Sequence, residues 1–292
     1  MLRRAMPTRL EGARQFLSTG KHPSSNNIFL NCTLELWLAG RMFGESEWTD
    51  AADQALQQDI ATQFEDGFWP DGNIYRGPTM GYNTVTLRAV AAYALLGGNP
   101  AARAAVVRAA DYHRTLSYPD GTGVETIDER NRYSGDVPER PIWSFAPFEE
   151  TRGLAAFWAE KRLGKTTESK LGGVAAMEID AWRKTDEGDV KPEGPPVGGR
   201  RLANVPAAVL RRGPWYACAS AATTRVPSTH FHHDLQNHLS VWHEKTGLIV
   251  GGGNAVHDPM FSTFRFQGTY LADGGDVSVH EDRIALSLKY GG

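Results

Sequence analysis

The amino-acid sequence predicts two parts, a set of paired α-helices followed by an antiparallel β domain. In the first half, apolar segments at helical spacing each end on a glycine, at Gly44, Gly97 and Gly164. In the second half, short β-rich runs alternate with turns. A Pro- and Gly-rich stretch separates the two. We therefore expect a helical domain at residues 1–190, a linker at 191–200 and an antiparallel β domain at 201–292.

The helical segments repeat as hairpins. A glycine just past the last apolar residue closes a helix in the left-handed conformation. Long loops with the same Pro-Asp-Gly turn, at Pro70 and Pro119, lie between hairpins. Ring-shaped (α/α) toroids are built from such units, and because only two and a half are visible, an incomplete toroid is expected. The expected helices span residues 31–44, 48–64, 83–97, 100–116 and 150–164.

The second half is predicted to form an antiparallel sheet or β-sandwich. The last expected strand has no partner after it, and exposed strand edges are usually avoided, so we expect a truncated domain. The expected strands span residues 215–220, 238–243, 248–250, 261–266, 277–279 and 284–290.

Composition excludes some classes of partner. With 31 Lys and Arg against 34 Asp and Glu, the net charge of -3 predicts neither a nucleic-acid nor an anionic-membrane partner. No stretch has the length of a transmembrane segment or the apolar core of an export signal. Cys32 and Cys218 lie in apolar patterns and are expected to be buried free thiols.

Two segments resemble a known family. Residues 66–87, which begin Asp-Gly-Phe-Trp-Pro-Asp-Gly and end Gly-Tyr-Asn-Thr-Val-Thr-Leu, are similar to a loop and helix of polysaccharide lyases of the heparinase II/III, alginate and chondroitin lyase type. Residues 237–254 resemble the His-containing strand and Gly turn of their β domain. The resemblance implies an (α/α) toroid with a β-sandwich, β-elimination on an acidic polysaccharide, and a periplasmic or extracellular location.

The same resemblance implies a set of catalytic residues. Tyr82, at the start of a helix, would act as base and acid, with Tyr75 as the alternative. A free tyrosine has a pKa of about 10, so a tyrosinate base needs cationic neighbours. Asn26 and Asn27 would neutralise the substrate carboxylate, although an N-cap for a helix starting near Ile28 is the competing interpretation. For Tyr82 the competing interpretation is a structural one, a tyrosine packed at the start of a helix with its hydroxyl in solvent.

The chain departs from the family at two positions. Asn27 stands where many relatives carry a histidine, and Asn73 lies on or near the position of a loop histidine. Either tyrosine works alone, or activity is lost, or a β-domain histidine such as His233 compensates.

The expected substrate-binding residues lie mainly in the loops. Arginine suits bidentate carboxylate binding, and aromatic faces stack on sugar rings. The run 128–132 is equally typical of a solvated surface. The candidates are Arg76, Arg130, Arg132, Trp69, Trp143, Asn73, Tyr75 and His238.

Six of the nine histidines lie between His230 and His257. His232, Asp234 and His243 have side chains that suit a structural zinc, but their spacing matches no fixed zinc motif. Partly exposed histidines are the alternative interpretation, and no cofactor is required.

The sequence thus predicts a carbohydrate-active protein, first of all a polysaccharide lyase. A second hypothesis is an (α/α) glycoside hydrolase that uses paired carboxylates, and a third is a non-catalytic polysaccharide-binding protein. Candidate carboxylates for hydrolysis are Asp71, Asp120, Asp128, Glu149 and Glu150.

Overall fold

A computed structural model describes most of the chain, in two compact units. The first unit comprises Met1–Arg76 with Gly81–Ala109, and the second comprises Gly77–Met80 with Ala110–Gly292. The domain boundaries expected from the sequence stay a prediction. The described residues are 2–70, 77–128, 133–137, 142–163, 190–222, 238–252, 264, 266–267 and 274–290.

The helices of the first unit form hairpins. Gly44 ends the second helix with φ 72°, and its N–H donates to the Gly40 carbonyl, as its position in the sequence predicts. In the next hairpin the left-handed residue is Gly98, with φ 65°, rather than Gly97. Gly97 lies inside its helix against Trp37, where a Cβ would stand 3.3 Å from the ring. The five helices are α1 Leu2–Thr19, α2 Asn26–Phe43, α3 Ser46–Ile60, α4 Met80–Gly97 and α5 Pro100–Thr115.

Helix α1 was not predicted, although its core face follows a simple pattern. Its buried residues recur three or four positions apart, which is the spacing of one helix face. They pack against α2 and α3. These residues are Met6, Leu10, Ala13 and Phe16.

The second unit begins with the end of α5 and adds two further helices. Helix α6 is a single turn, Ile142–Phe145, and α7 spans Arg152–Leu163 after a short 3-10 turn. The start of α7 agrees with the expected helix at 150–164, and Gly164 lies outside the described residues.

The β domain contains a five-stranded antiparallel sheet and a two-stranded sheet. The boundaries of β3 and β4 are those predicted, whereas β1 and β2 were missed. β1 begins inside the 191–200 segment, and the strand expected at 261–266 lies almost wholly outside the described residues. In sheet order the strands are β1 Gly198–Arg201, β2 Ala207–Arg212, β3 Trp215–Ser220, β4 His238–His243 and β5 Gly247–Val250, with β6 Gly274–Val279 paired to β7 Ile284–Lys289.

The two faces of the larger sheet have different neighbours. On one face, Ala208 packs with Val277 of β6 and with apolar residues of β7. On the other face, Tyr216 and Trp242 pack on Tyr118, with ring centroids 5.2 Å and 6.1 Å away. The Tyr216 hydroxyl also donates to the Thr115 carbonyl at the end of α5. Helices followed by an antiparallel β domain are therefore the observed class, as predicted.

The burial of the two cysteines agrees with expectation only in part. Cys218 is buried as expected, but Cys32 is only half-buried, and both are free.

Among the residues that the structure describes, none of the helices combines the length and the apolar character needed to cross a bilayer.

Buried His113 makes the stability depend on pH. Burial lowers the pKa of His113 from 6.5 to about 3, because the charged ring would lose its hydration. Between those values the unfolded chain binds a proton that the folded chain excludes. Stability is therefore complete above pH 6.5 and falls on acidification, by at most about 1.4 kcal/mol per pH unit for this group.

We predict that His113→Leu reduces the loss of unfolding free energy between neutral and mildly acidic pH, measured by urea denaturation. Trp158→Phe, whose ring centroid lies 5.8 Å from that of His113, is the control: it should lower stability at both pH values without changing the difference. An unchanged pH dependence in His113→Leu would contradict this assignment.

Candidate active site

The first turn of α4 presents the candidate base. Tyr82 is 39% exposed, whereas the next residue, Asn83, is 2% exposed. The Asn83 side-chain oxygen accepts the N–H of Trp69 at 3.2 Å. The turn that carries the phenol is thereby attached to the loop that follows α3.

Trp69 does not serve as the expected exposed sugar platform in this structure. It lies in the loop, as predicted, but its side chain is only 2% exposed. The loop folds inward at this residue, so the ring contributes to the core.

The Asp66-Gly67 turn before Trp69 is fixed on α5. Gly67 has φ 100°, and a Cβ there would lie 2.2 Å from the Arg108 carbonyl oxygen. Gln63 donates to the carbonyls of both Gly67, at 3.0 Å, and Ala105, at 2.9 Å. Only glycine allows this approach, so the Asp-Gly pair is required by packing whatever its role in the chemistry.

Most of the predicted substrate-binding residues lie outside the described part of the chain. Their positions therefore stay predictions. They are Asn73, Tyr75, Arg76, Arg130 and Arg132, together with His232, His233 and Asp234 of the β domain.

Asn26 lies at a buried junction of three helices. Its side-chain nitrogen donates to Asp59 at 2.9 Å, and its oxygen accepts the Thr86 hydroxyl at 3.1 Å. Asp59 also bonds to His22 at 3.0 Å, and burial raises the pKa of the Asp59 carboxyl. Both polar atoms of Asn26 are thus engaged within the core.

The N-cap interpretation of the Asn pair is wrong. Helix α2 begins at Asn26 rather than near Ile28, and Ser25 occupies the N-cap position. Asn27 is 6% exposed, and its side-chain oxygen accepts the Ile28 N–H at 2.9 Å.

The second unit contains a buried carboxylate, Glu125, which the sequence did not single out. It is 3% exposed. Its oxygens accept the Tyr118 hydroxyl at 3.0 Å and the Gly252 N–H at 2.9 Å. Burial raises the pKa of Glu125, and its hydrogen bonds oppose that rise. The position in Val-Glu-Thr-Ile, an acid in an apolar run, was the available signal.

The acids proposed for hydrolysis hold backbone in place where they are described. Asp128 is 1% exposed and accepts the Met80 N–H at 2.9 Å. Asp120 accepts both the N–H and the hydroxyl of Thr122, at 3.0 Å and 2.6 Å. Glu149 and Glu150 are exposed, and Asp71 lies outside the described residues.

The described β-domain candidates also differ from expectation. His238 is fully buried, so its imidazole does not line an open cleft, and burial lowers its pKa to about 4. Trp143 is half-buried in helix α6 rather than in a loop.

Of the three residues proposed to bind zinc, the structure describes one, His243. The Nδ1 atom of His243 accepts the Lys245 N–H at 3.2 Å, which leaves Nε2 as its metal-binding atom. Within the described ranges, no group of three or more His, Cys, Asp or Glu side chains could hold a metal ion. With His232 and Asp234 outside those ranges, the site stays a prediction.

Solved structures share this architecture. The Paenibacillus xanthan lyase matches with a TM-score of 0.57 and 15% identity over 74% of this chain. The chondroitin AC lyase of Streptomyces coelicolor A3, solved with chondroitin sulphate, matches with a TM-score of 0.59 and 15% identity over 80% of this chain. The chain has the fold of these polysaccharide lyases.

The match with each solved lyase structure covers only a part of that lyase's chain. The chain spans 24% of the xanthan lyase and 37% of the chondroitin lyase. A heparinase III matches with a TM-score of 0.49 and 12% identity, over 88% of this chain and 35% of its own, which is too low to support a shared fold by itself. No family model and no curated protein matches the sequence.

Gly67→Ala tests the loop geometry. Because a Cβ would meet backbone and φ is positive, we predict a loss of about 2–4 kcal/mol in unfolding free energy. Gly98→Ala is the matched control, since its φ is 65° but no atom of the described residues lies within 4 Å of a Cβ; it should cost about 1 kcal/mol. Equal losses in the two variants would refute the close approach.

Glu125 is tested by a pair of variants. Glu125→Ala leaves the Tyr118 hydroxyl and the Gly252 N–H unpaired beside a cavity, and should cost about 3 kcal/mol. Glu125→Gln keeps the shape and one acceptor oxygen for the Gly252 N–H, and its amide N–H₂ can donate to the Tyr118 hydroxyl oxygen, so it should lose much less unfolding free energy than Glu125→Ala. Similar losses in both variants would show that charge, rather than hydrogen bonding, holds the segment.

Proposed function

We propose that this chain carries the active site of a polysaccharide lyase that cleaves uronic-acid-containing chains by β-elimination. The observation that supports the proposal is the fold shared with the xanthan and chondroitin AC lyases. Fold alone does not decide chemistry, so the proposal also depends on the exposed phenol of Tyr82 in the first turn of α4.

Elimination needs three tasks. The substrate carboxylate is neutralised, a base removes the proton beside it, and an acid protonates the departing glycosidic oxygen. We assign the two proton transfers to Tyr82. Arg76, Arg130 and Arg132 are the proposed carboxylate-binding residues, because a guanidinium both neutralises and orients a carboxylate.

Asn26 is no longer proposed to neutralise the substrate carboxylate, whereas Asn27 is kept in that role as a hypothesis. The side chain of Asn26 bonds to Asp59 and Thr86, so binding a substrate would break two buried hydrogen bonds. Asn27 has its side-chain oxygen on the backbone of its own helix. His233 and Tyr75 stay alternatives for the proton transfers.

Tyr82→Phe tests the mechanism. The variant keeps the ring and loses only the hydroxyl, so we predict that production of unsaturated uronate ends falls by about 100-fold or more. The measurement is the ultraviolet absorbance of those ends, with chondroitin sulfate, xanthan and alginate as substrates. Binding of the same polysaccharides in a native gel should be unchanged.

Tyr290→Phe is the matched control, because it removes a phenol in β-domain surroundings, where the hydroxyl donates to the Phe264 carbonyl at 3.2 Å. It should leave turnover unchanged. Undiminished elimination by Tyr82→Phe removes Tyr82 from the mechanism. New reducing ends without unsaturated ends would instead support hydrolysis, and binding without cleavage would support a binding protein.

A further inference from the structure

A row of side chains crosses the larger sheet at one end. In the strand register, Arg212 of β2 pairs with Trp215 of β3, and Trp215 pairs with His243 of β4. His243 in turn pairs with Gly247 of β5. Directly paired residues project from the same face of a sheet, so three side chains stand side by side there.

The row lies at the end of the sheet face on which the two-stranded sheet packs. Along β2, residues 208, 210 and 212 share one face because side chains alternate. The two-stranded sheet packs on this face around Ala208. Arg212, at the other end of β2, is exposed.

Trp215 is a large exposed ring with a fixed neighbour. It is 49% exposed. The His243 ring packs against it at a steep angle, with centroids 4.4 Å apart and planes at 62°. The Lys245 N–H donates to His243 Nδ1 at 3.2 Å, which holds the imidazole in place. The indole therefore keeps its orientation while part of its surface stays open to solvent.

The row ends at a residue without a side chain. Among the described residues, nothing lies within 4 Å of where a Cβ on Gly247, beside His243, would stand. Pro214 closes the β2–β3 turn and accepts the Glu244 N–H at 3.0 Å, which joins the two neighbouring turns.

Charged side chains lie on the strand ends and turns beside Trp215. Arg212 and Lys245 are exposed cations, and Glu244 is the exposed acid on the adjoining turn. In the described part of the chain, no hydrogen bond or ion pair engages the Arg212 guanidinium. A planar cation next to an exposed indole combines a carboxylate- or sulfate-binding group with a face on which a pyranose ring stacks.

We propose that Arg212, Trp215 and His243 form a surface subsite for an acidic saccharide. The sugar ring stacks on Trp215, and its carboxylate or sulfate group pairs with Arg212. This inference rests on the proposed function for the class of its ligand, but it adds a second point of attachment, in the β domain, for a long polysaccharide chain.

Binding to chondroitin sulfate tests the subsite. The full chain is run in native gels that contain increasing chondroitin sulfate, and retardation gives an apparent dissociation constant. Trp215→Ala should weaken binding roughly tenfold. Arg212→Gln should weaken binding and also reduce its dependence on salt. Retention of the original unfolding midpoint by both variants is checked first, since both side chains are exposed.

Phe266→Ala is the control, because Phe266 is a comparably exposed ring, at 54%, elsewhere in the same unit. It should leave retardation unchanged. Gels with dextran, a neutral polymer, should show no retardation for any variant. Trp215-dependent retardation by dextran would contradict acid selectivity, and original affinity in Trp215→Ala would overturn the subsite.

The two proposals fail in different ways. If no uronate polysaccharide is cleaved but Trp215→Ala still loses affinity for chondroitin sulfate, the lyase proposal fails and the subsite stands. If elimination proceeds and Trp215→Ala binds as the original chain does, the subsite fails and the lyase proposal stands.

Discussion

The second unit depends on satisfying one buried carboxylate. Burying a carboxylate without partners is very unfavourable, and Glu125 is 3% exposed. Tyr118 and the backbone of Gly252 provide the partners. A Cβ on the neighbouring Gly251 would stand 2.5 Å from a Glu125 oxygen, so a glycine is required there. The segment after α5 and the end of β5 are thereby joined, and the sheet packs its Tyr216 and Trp242 rings around the same Tyr118.

Local patterns were enough to predict much of the fold. β3 and β4 were placed to the residue because each is a short run rich in apolar and aromatic residues beside a turn signal, Gly-Pro before β3 and Glu-Lys-Thr-Gly after β4. β1 was missed because Gly-Gly-Arg-Arg carries no apolar alternation, and it pairs only because β2 lies beside it. Helix α1 was not predicted despite its regular face, because its apolar residues are separated by arginines and polar residues and form no apolar segment like those of the other helices.

The candidate site was harder to predict because tertiary contacts decide each role. Asparagine is a residue type that can cap a helix or bind a carboxylate. Asn26 instead lies in the core, because its side chain is hydrogen-bonded to Asp59 and Thr86, which are distant in sequence. Trp69 lies in a loop, yet that loop folds inward. Tyr82, in contrast, is where a helix-start argument places it, in the first turn of α4 with part of its ring exposed.

Shared fold and shared chemistry are separate claims at 15% identity, and the second is open to a direct experiment. The most direct measurement is mass spectrometry of the products of chondroitin sulfate cleavage. Elimination adds no water, so the account predicts that the two products of a cleavage together have the mass of the chain they came from, and that one of them carries an unsaturated end. Two saturated products that together are heavier by one water molecule would mean hydrolysis and would contradict the account.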